Sequence, residues 1–182
     1  MQNTSLQYDE AVMECRRIFE AKLKDYGPSW RILRLPSITD QIFIKARRIR
    51  TLQSSDIQRI DEGIKPEFMG IYNYSLIALI QFELGPEPEN PSPTNVDYLN
   101  LYDQWSQKAK RLMLDKNHDY DEAWRQMRLS SLTDIILMKI KRIKQIEDNS
   151  GLTAVSEGIE SNYLDIMNYA IFSLIKLSEN QY

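Results

Sequence analysis

The sequence predicts an all-α protein built from two similar helical bundles. Two observations lead to this fold class: the second half of the chain repeats the first, and apolar residues recur at helical spacings of three and four residues. No alternating apolar and polar pattern of useful length for a strand is present. The chain has 182 residues, 42% of them hydrophobic and 27% charged, which suits one globular domain or two small ones.

The repeat is visible when the sequence is aligned with itself. A shift of 94 residues aligns 25–49 with 119–143 without a gap, and 13 of the 25 pairs are identical. A shift of 95 residues aligns 62–80 with 157–175, with 8 of 19 pairs identical. Because this period is far above solenoid periods and only two copies exist, we interpret the chain as a tandem duplication.

The boundary between the copies is predicted from proline. Four of the seven prolines of the chain fall in residues 85–95, a run without aliphatic or aromatic side chains. Such a run can neither continue a helix nor bury an apolar face. We therefore predict copy one at residues 1–84, a linker at 85–95 and copy two at 96–182.

Each copy is expected to open with a long amphipathic helix, at 6–25 and at 96–117. A shorter turn follows around Trp30 or Trp124. A tryptophan at such a helix junction packs in the core more often than it stacks on a base, and both roles stay open.

The second helix of copy two is predicted to start at Ser131, a residue type that caps helices well. Its last helix, at about 156–177, is apolar on nearly every side after Tyr163, which is typical of a helix surrounded by others. We expect the two copies to pack as an intramolecular pseudo-dimer that buries these last helices together.

Composition excludes several classes of protein. The net charge of −3 argues against a protein that binds duplex nucleic acid, because such domains show a basic excess. One cysteine, Cys15, excludes an intrachain disulfide, and one histidine, His118, disfavours histidine-rich zinc sites. No run approaches the roughly 20 apolar residues of a membrane span. We expect a cytoplasmic protein without a membrane partner, and a homo-oligomer stays open.

Cations interrupt the apolar stripe of the second helix in both copies. Lys139 lies on the stripe of copy two and Lys45 on that of copy one, with Arg142 and Arg48 three residues further on. A lysine is almost never fully buried without a partner. Three interpretations stay open: an acidic partner, a bound anion, or an ammonium that reaches out to water.

The last helix of copy two has a polar face of its own. Asp165 and Asn168 lie one helical turn apart in an otherwise apolar segment. A buried carboxylate must be paired or bind a metal, and magnesium prefers oxygen ligands. One alternative is therefore a metal site, and the other is an ion pair of Asp165 with Lys139 or with Arg142.

These residues resemble a known family. The segments DYDEAW, LTDIILMKIKRIKQI and EGIESNYLDIMNYAIFSL of copy two are similar to the nucleotide modification associated domain of phages and bacteria, a relative of the MazG-like all-α nucleotide pyrophosphatases. That family has DYG near its first loop, K-x-x-R on its second main helix, and acids before an NY pair on its last helix. Copy one supplies a second, diverged match with DYG at 25–27.

The resemblance implies a MazG-like bundle, a nucleotide partner and magnesium as cofactor. In copy two, Lys139, Arg142, Asn168 and Tyr169 match positions expected to bind the nucleotide and its phosphates. The magnesium ligands implied are Glu157, Glu160 and Asp165. Lys45 and Arg48 of copy one are expected to contribute phosphate contacts across the pseudo-dimer.

Two functions follow as alternatives. One is a magnesium-dependent nucleoside triphosphate pyrophosphohydrolase, in which metal-bound water attacks the phosphate. The other is a non-catalytic nucleotide-binding or structural scaffold. In copy one, Gly70 and Lys65 replace Asp165 and Glu160. We therefore predict that nucleotide and magnesium binding depend mainly on copy two.

Overall fold

Two sets of three α-helices form the described part of the protein. The structure is a computed structural model, and it describes residues 2–54, 63–87, 96–153 and 157–179. Those residues contain no strand. The helices are α1 (Gln2–Tyr26), α2 (Leu35–Gln53), α3 (Ile64–Leu84), α4 (Tyr98–Tyr120), α5 (Leu129–Asp148) and α6 (Ile159–Glu179), with short 3-10 turns at Ser29–Ile32 and Ala123–Gln126.

The second helix of copy two begins earlier than the sequence predicts. α5 starts at Leu129, two residues before the predicted cap Ser131, and Arg128 occupies the N-cap position in an extended conformation. The side chain of Thr133 donates back to the carbonyl of Leu129 at 3.2 Å. Ser131 therefore lies inside the first turn, where its own backbone N–H donates to the carbonyl of Arg128 at 3.0 Å.

The helices of the two copies pack in matching pairs. α3 lies against α6 and α2 against α5, while α1 contacts α6 and α4 contacts α3. Exchanging the two copies leaves this set of contacts unchanged, as expected for a pair related by a two-fold axis. The predicted all-α, tandem-duplicated bundle with pseudo-dimer packing is confirmed.

The central helices α3 and α6 provide most of the shared core. Apolar side chains of α3 and α6, such as Phe68, Leu76, Ile166 and Ile171, are fully buried. Their nearly continuous apolar surface has neighbours on every side, which matches the sequence pattern. None of the described helices combines the length and apolar composition needed to span a bilayer.

The segment predicted as a linker is only partly described. Gly85 ends α3 with φ of +71°, a left-handed conformation that favours glycine. Its carbonyl accepts a hydrogen bond from Arg31 Nη1 at 3.0 Å, which ties the end of α3 to the first 3-10 turn. Residues 88–95, including Pro88, Pro91 and Pro93, lie outside the described residues.

Crossed hydrogen bonds join each opening helix to the last helix of the other copy. Tyr8 Oη donates to Asn168 Oδ1 at 2.8 Å. Its counterpart Tyr102 donates to Asn73 Oδ1 at 2.9 Å. The amide nitrogen of each asparagine donates to a backbone carbonyl in the first helix of its own copy, at 3.1 Å for Asn168 and 3.0 Å for Asn73. Burial raises the pKa of Tyr8 and of Tyr102, so both hydroxyls stay protonated donors.

A second crossed arrangement lies between α2 and α5. Thr39 Oγ1 donates to Glu147 Oε1 at 2.6 Å and lies 2.7 Å from Tyr163 Oη. In the matching place, Gln53 Nε2 donates to Thr133 Oγ1 at 3.1 Å. Burial raises the pKa of Glu147, and the hydrogen bond from Thr39 offsets only part of that rise.

We expect Glu147→Gln to stabilise the protein at neutral pH. Folding raises the pKa of Glu147. The protonated side chain therefore contributes to stability at pH values below the ordinary glutamate pKa, and this contribution is lost as the pH rises through the pKa of the folded state. Glutamine, which Gln53 already supplies in copy one, cannot ionise. The gain should stay below about 1 kcal/mol because the side chain is half-buried.

Urea denaturation of the parent and Glu147→Gln proteins checks this expectation. The difference in unfolding free energy should grow in favour of the variant from about pH 4 to about pH 7. A difference that does not change with pH would mean that the ionisation of Glu147 has no cost in the folded state.

Candidate functional site

Two lysines hold Asp165 in the interior of copy two. Lys139 on α5 donates to Asp165 Oδ2 at 2.6 Å, and Lys116 on α4 donates to Oδ1 at 2.5 Å. The side chains of Lys139 and Asp165 are only 11% and 7% exposed. The predicted pairing of Asp165 with Lys139 is confirmed, whereas the alternative partner Arg142 is exposed and does not take part.

Lys116 is a site residue that the sequence patterns do not single out. Its burial lowers the pKa of Lys116, but the hydrogen bond and negative charge of Asp165 outweigh this, so the pKa is raised overall. The ammonium is therefore charged at neutral pH. The one sequence signal is the repeat itself, since Lys22 stands 94 residues earlier in the last turns of α1.

The acids expected to ligate magnesium are not gathered into one site. Both carboxylate oxygens of Asp165 accept from lysines. Glu160 accepts from Lys108 at 2.6 Å on the surface, and Glu157 is exposed. Over the described ranges, no group of three or more His, Cys, Asp or Glu side chains is placed to hold a metal ion. This donor set does not fit a magnesium centre, and we derive no reaction step through one.

The other predicted nucleotide ligands of copy two are packed into its interior. Asn168 belongs to the crossed hydrogen bonds described above. Tyr169 is half-buried and meets Phe172 edge-on, with ring centroids 6.2 Å apart. Phe172 in turn stacks on Trp124 at 4.2 Å, with an angle of 2° between the rings. The ring face of Trp124 is thus covered by a side chain of its own copy, and its role is in the core.

In copy one, the buried acid of the last helix is Glu67, one helical turn before the position that corresponds to Asp165. Lys45 Nζ donates to Glu67 Oε2 at 3.3 Å, and Arg48 Nη1 donates to Glu67 Oε1. Glu67 is 6% exposed and precedes Gly70, the counterpart of Asp165, by three residues. The predicted phosphate ligands Lys45 and Arg48 therefore lie together beside α3, on a carboxylate that the sequence patterns do not single out.

A cavity of about 530 Å³ opens beside these cations, and we call it the copy-one cavity. Residues of α1, the DYG loop, the first 3-10 turn, α2 and α3 contribute to its wall. The residues that matter below are Lys22, Tyr26, Trp30, Lys45, Glu67, Gly70, Tyr74 and Ile77. Tyr26 and Gly27 of the DYG loop and the lysine of K-x-x-R therefore face one space in copy one, whereas the sequence analysis expected the site mainly in copy two.

Two differences between the copies distinguish this region from its counterpart. Gly70 stands where copy two has Asp165, and Lys45 lies across it: a Cβ at position 70 would be 2.7 Å from Lys45 Cδ. Ile77 stands where copy two has the larger ring of Phe172. Copy two thus places larger side chains at these two positions.

Comparison with known proteins identifies the family. The model of the family described as nucleotide modification associated domain 1 matches the chain twice, over residues 22–82 and 116–177. The comparisons with curated proteins and with solved structures gave no match. Each matched segment starts at the lysine near the end of the first helix, Lys22 or Lys116, and continues into the last helix of its copy. Because the two segments cover well over half of its length, the chain belongs to the nucleotide modification associated domain 1 family, with one domain in each copy.

Proposed function

We propose that the protein binds a nucleotide in the copy-one cavity. The observation that supports this most is that the cavity lies almost wholly within a segment matched by the nucleotide modification associated domain 1 family. Its lining includes Tyr26, Gly27 and Lys45, which belong to the motifs of the sequence resemblance. In this arrangement the base lies against the aromatic side chains, and the phosphate lies towards the lysines.

The cavity has the size and the chemistry that such a ligand needs. Its volume of about 530 Å³ lies within the range of roughly 300 to 1,000 Å³ of small-molecule sites. Tyr26 and Tyr74 line the cavity with exposed and half-buried rings, and the buried Trp30 lies behind them in its wall. Aromatic side chains of this kind can pack against a planar base. Lys45 and Lys22 offer the ammonium groups that attract phosphate oxygens.

Binding without hydrolysis is the better-supported form of this function. Among the described residues that line the cavity, the carboxylate is that of Glu67. One of its oxygens accepts from Lys45 and the other from Arg48. A carboxylate held in this way is poorly placed to ligate magnesium or to activate a water molecule. The pyrophosphohydrolase implied by the resemblance therefore stays a prediction, and we propose a nucleotide-binding protein.

Calorimetric titration tests the proposal. The parent protein is titrated with nucleosides, nucleoside monophosphates and nucleoside triphosphates, each in EDTA and in magnesium. We expect at least one nucleotide to bind in EDTA. If no nucleotide binds under either condition, the proposal is wrong.

A matched pair of tyrosine variants locates the binding site. Tyr74→Leu should weaken binding about fivefold or more, because base–aromatic stacking contributes roughly 1 to 3 kcal/mol. Tyr169 occupies the equivalent position in copy two, so Tyr169→Leu should leave the affinity unchanged. The opposite result, a loss on Tyr169→Leu alone, would place the nucleotide in copy two.

A further inference from the structure

In copy two, the two lysines that correspond to Lys22 and Lys45 of copy one bind an anionic side chain between them. Lys116 and Lys139 come from different helices, α4 and α5, and converge on one carboxylate, that of Asp165 on α6. The two contacts are 2.5 and 2.6 Å long and involve different oxygens. The arrangement is a two-point anion clasp, and its anion is part of the chain.

Copy one keeps both lysines of this clasp but not its anion. Lys22 and Lys45, the counterparts of Lys116 and Lys139, both line the copy-one cavity. Gly70 replaces the aspartate and brings no carboxylate, and the side chain of Lys45 lies against it, with Nζ 3.1 Å from the position of a Cβ at residue 70.

The acid beside the cavity is not an equivalent of Asp165. Glu67 contacts Lys45 at 3.3 Å, a longer distance than the 2.6 Å between Lys139 and Asp165. Its other oxygen accepts from Arg48 rather than from Lys22. Two lysines and one glutamate line the cavity, so the described charges of its wall are positive on balance.

We propose that the copy-one cavity binds a phosphate group beside Gly70, bridged by Lys22 and Lys45 as the carboxylate of Asp165 is bridged by Lys116 and Lys139 in copy two. Two lysines that converge on one anionic group suit a single phosphate. The ligand class is therefore a nucleoside monophosphate, bound without magnesium, since the described lining offers no further cation for the additional phosphates of a triphosphate. The identity of the group that carries the phosphate rests on the proposed function, whereas the clasp itself does not.

Lys22 variants test the clasp in copy one. Lys22 is exposed at the rim, so its replacement should not disturb folding. In EDTA, Lys22→Met should weaken binding of a nucleoside monophosphate about tenfold or more and leave the corresponding nucleoside unaffected, and Lys22→Arg should restore most of the loss. Lys116→Met is the matched control and should bind both ligands as the parent protein does. Equal losses for nucleoside and monophosphate, or no loss for either, would overturn the clasp.

Inorganic phosphate tests the clasp independently of any nucleotide. Asp165→Gly should open the equivalent site in copy two, so sodium phosphate should raise the melting temperature of this variant more than that of the parent protein, compared with sodium chloride at equal ionic strength. An equal rise in both proteins would overturn the equivalence of the two lysine pairs, and if Asp165→Gly does not fold, the Lys22 variants decide.

Tighter binding of a nucleoside monophosphate than of inorganic phosphate identifies a nucleotide as the ligand. If phosphate raises the melting temperature but no nucleotide binds, the clasp stands and the proposed function fails.

Discussion

Replacing Asp165 by alanine is expected to lower the free energy of unfolding by about 3 to 5 kcal/mol, as breaking a buried ion pair typically does. The side chain of Lys139 is 11% exposed and lies 2.6 Å from Asp165, so the variant would leave a charge in the core without its partner. Urea denaturation in EDTA measures the loss in the absence of any divalent cation. An unchanged midpoint would contradict the buried pair.

Lys116→Met provides the matched control for this result. Lys116 contacts the same carboxylate, but its side chain is 47% exposed and can turn to water when the contact is lost. We expect a loss below about 1 kcal/mol, which is typical of exposed ion pairs. A loss as large as that of Asp165→Ala would show that Lys116, rather than Lys139, balances the buried carboxylate.

Asn168→Ala is expected to cost about 2 to 6 kcal/mol, because it strands two buried groups at roughly 1 to 3 kcal/mol each. Those groups are the hydroxyl of Tyr8, from the other copy, and a backbone carbonyl of α4. Urea denaturation provides the measurement. Because Asn73 makes the equivalent pair of bonds, Asn73→Ala should cost a similar amount.

Tyr8→Phe separates the bond between the copies from the bond within copy two. It removes the hydroxyl and leaves only Asn168 Oδ1 without its donor, so its cost should be about half that of Asn168→Ala. A negligible cost would show that the crossed bond does not contribute to the packing of the two copies.

The fold and one ion pair could be predicted because they depend on local patterns. Identical residues at a constant offset show the duplication, and apolar spacing shows the helices. Lys139 and Asp165 each interrupt an apolar stripe, and a charge in such a position requires a partner. Burial alone requires a partner for each charge but leaves Arg142 and a metal open for Asp165, and the packing of α5 against α6 selects Lys139.

The copy-one cavity could not be predicted in the same way. The number of acidic residues on the last helix favoured a binding site in copy two. Asp165 and Glu160 lie there, whereas copy one has Gly70 and Lys65 at the matching positions. Whether an acid is free or already bound depends on which side chains reach it from other helices, and Lys116 reaches Asp165 from α4. The role of Gly70 likewise depends on another helix, because the side chain of Lys45 reaches it from α2.

The central claim is that copy one holds an open nucleotide site whose counterpart in copy two is closed by its own carboxylate. Titrating the Gly70→Asp protein with the nucleoside monophosphate that the parent binds most tightly tests this claim most directly. The parent should bind one molecule per chain, and Gly70→Asp should bind about tenfold more weakly or worse, because the introduced carboxylate would take the two lysines as Asp165 does in copy two. Gly70→Asn, which adds nearly the same volume without the charge, should lose less. Binding by Gly70→Asp with the affinity of the parent protein would contradict the account.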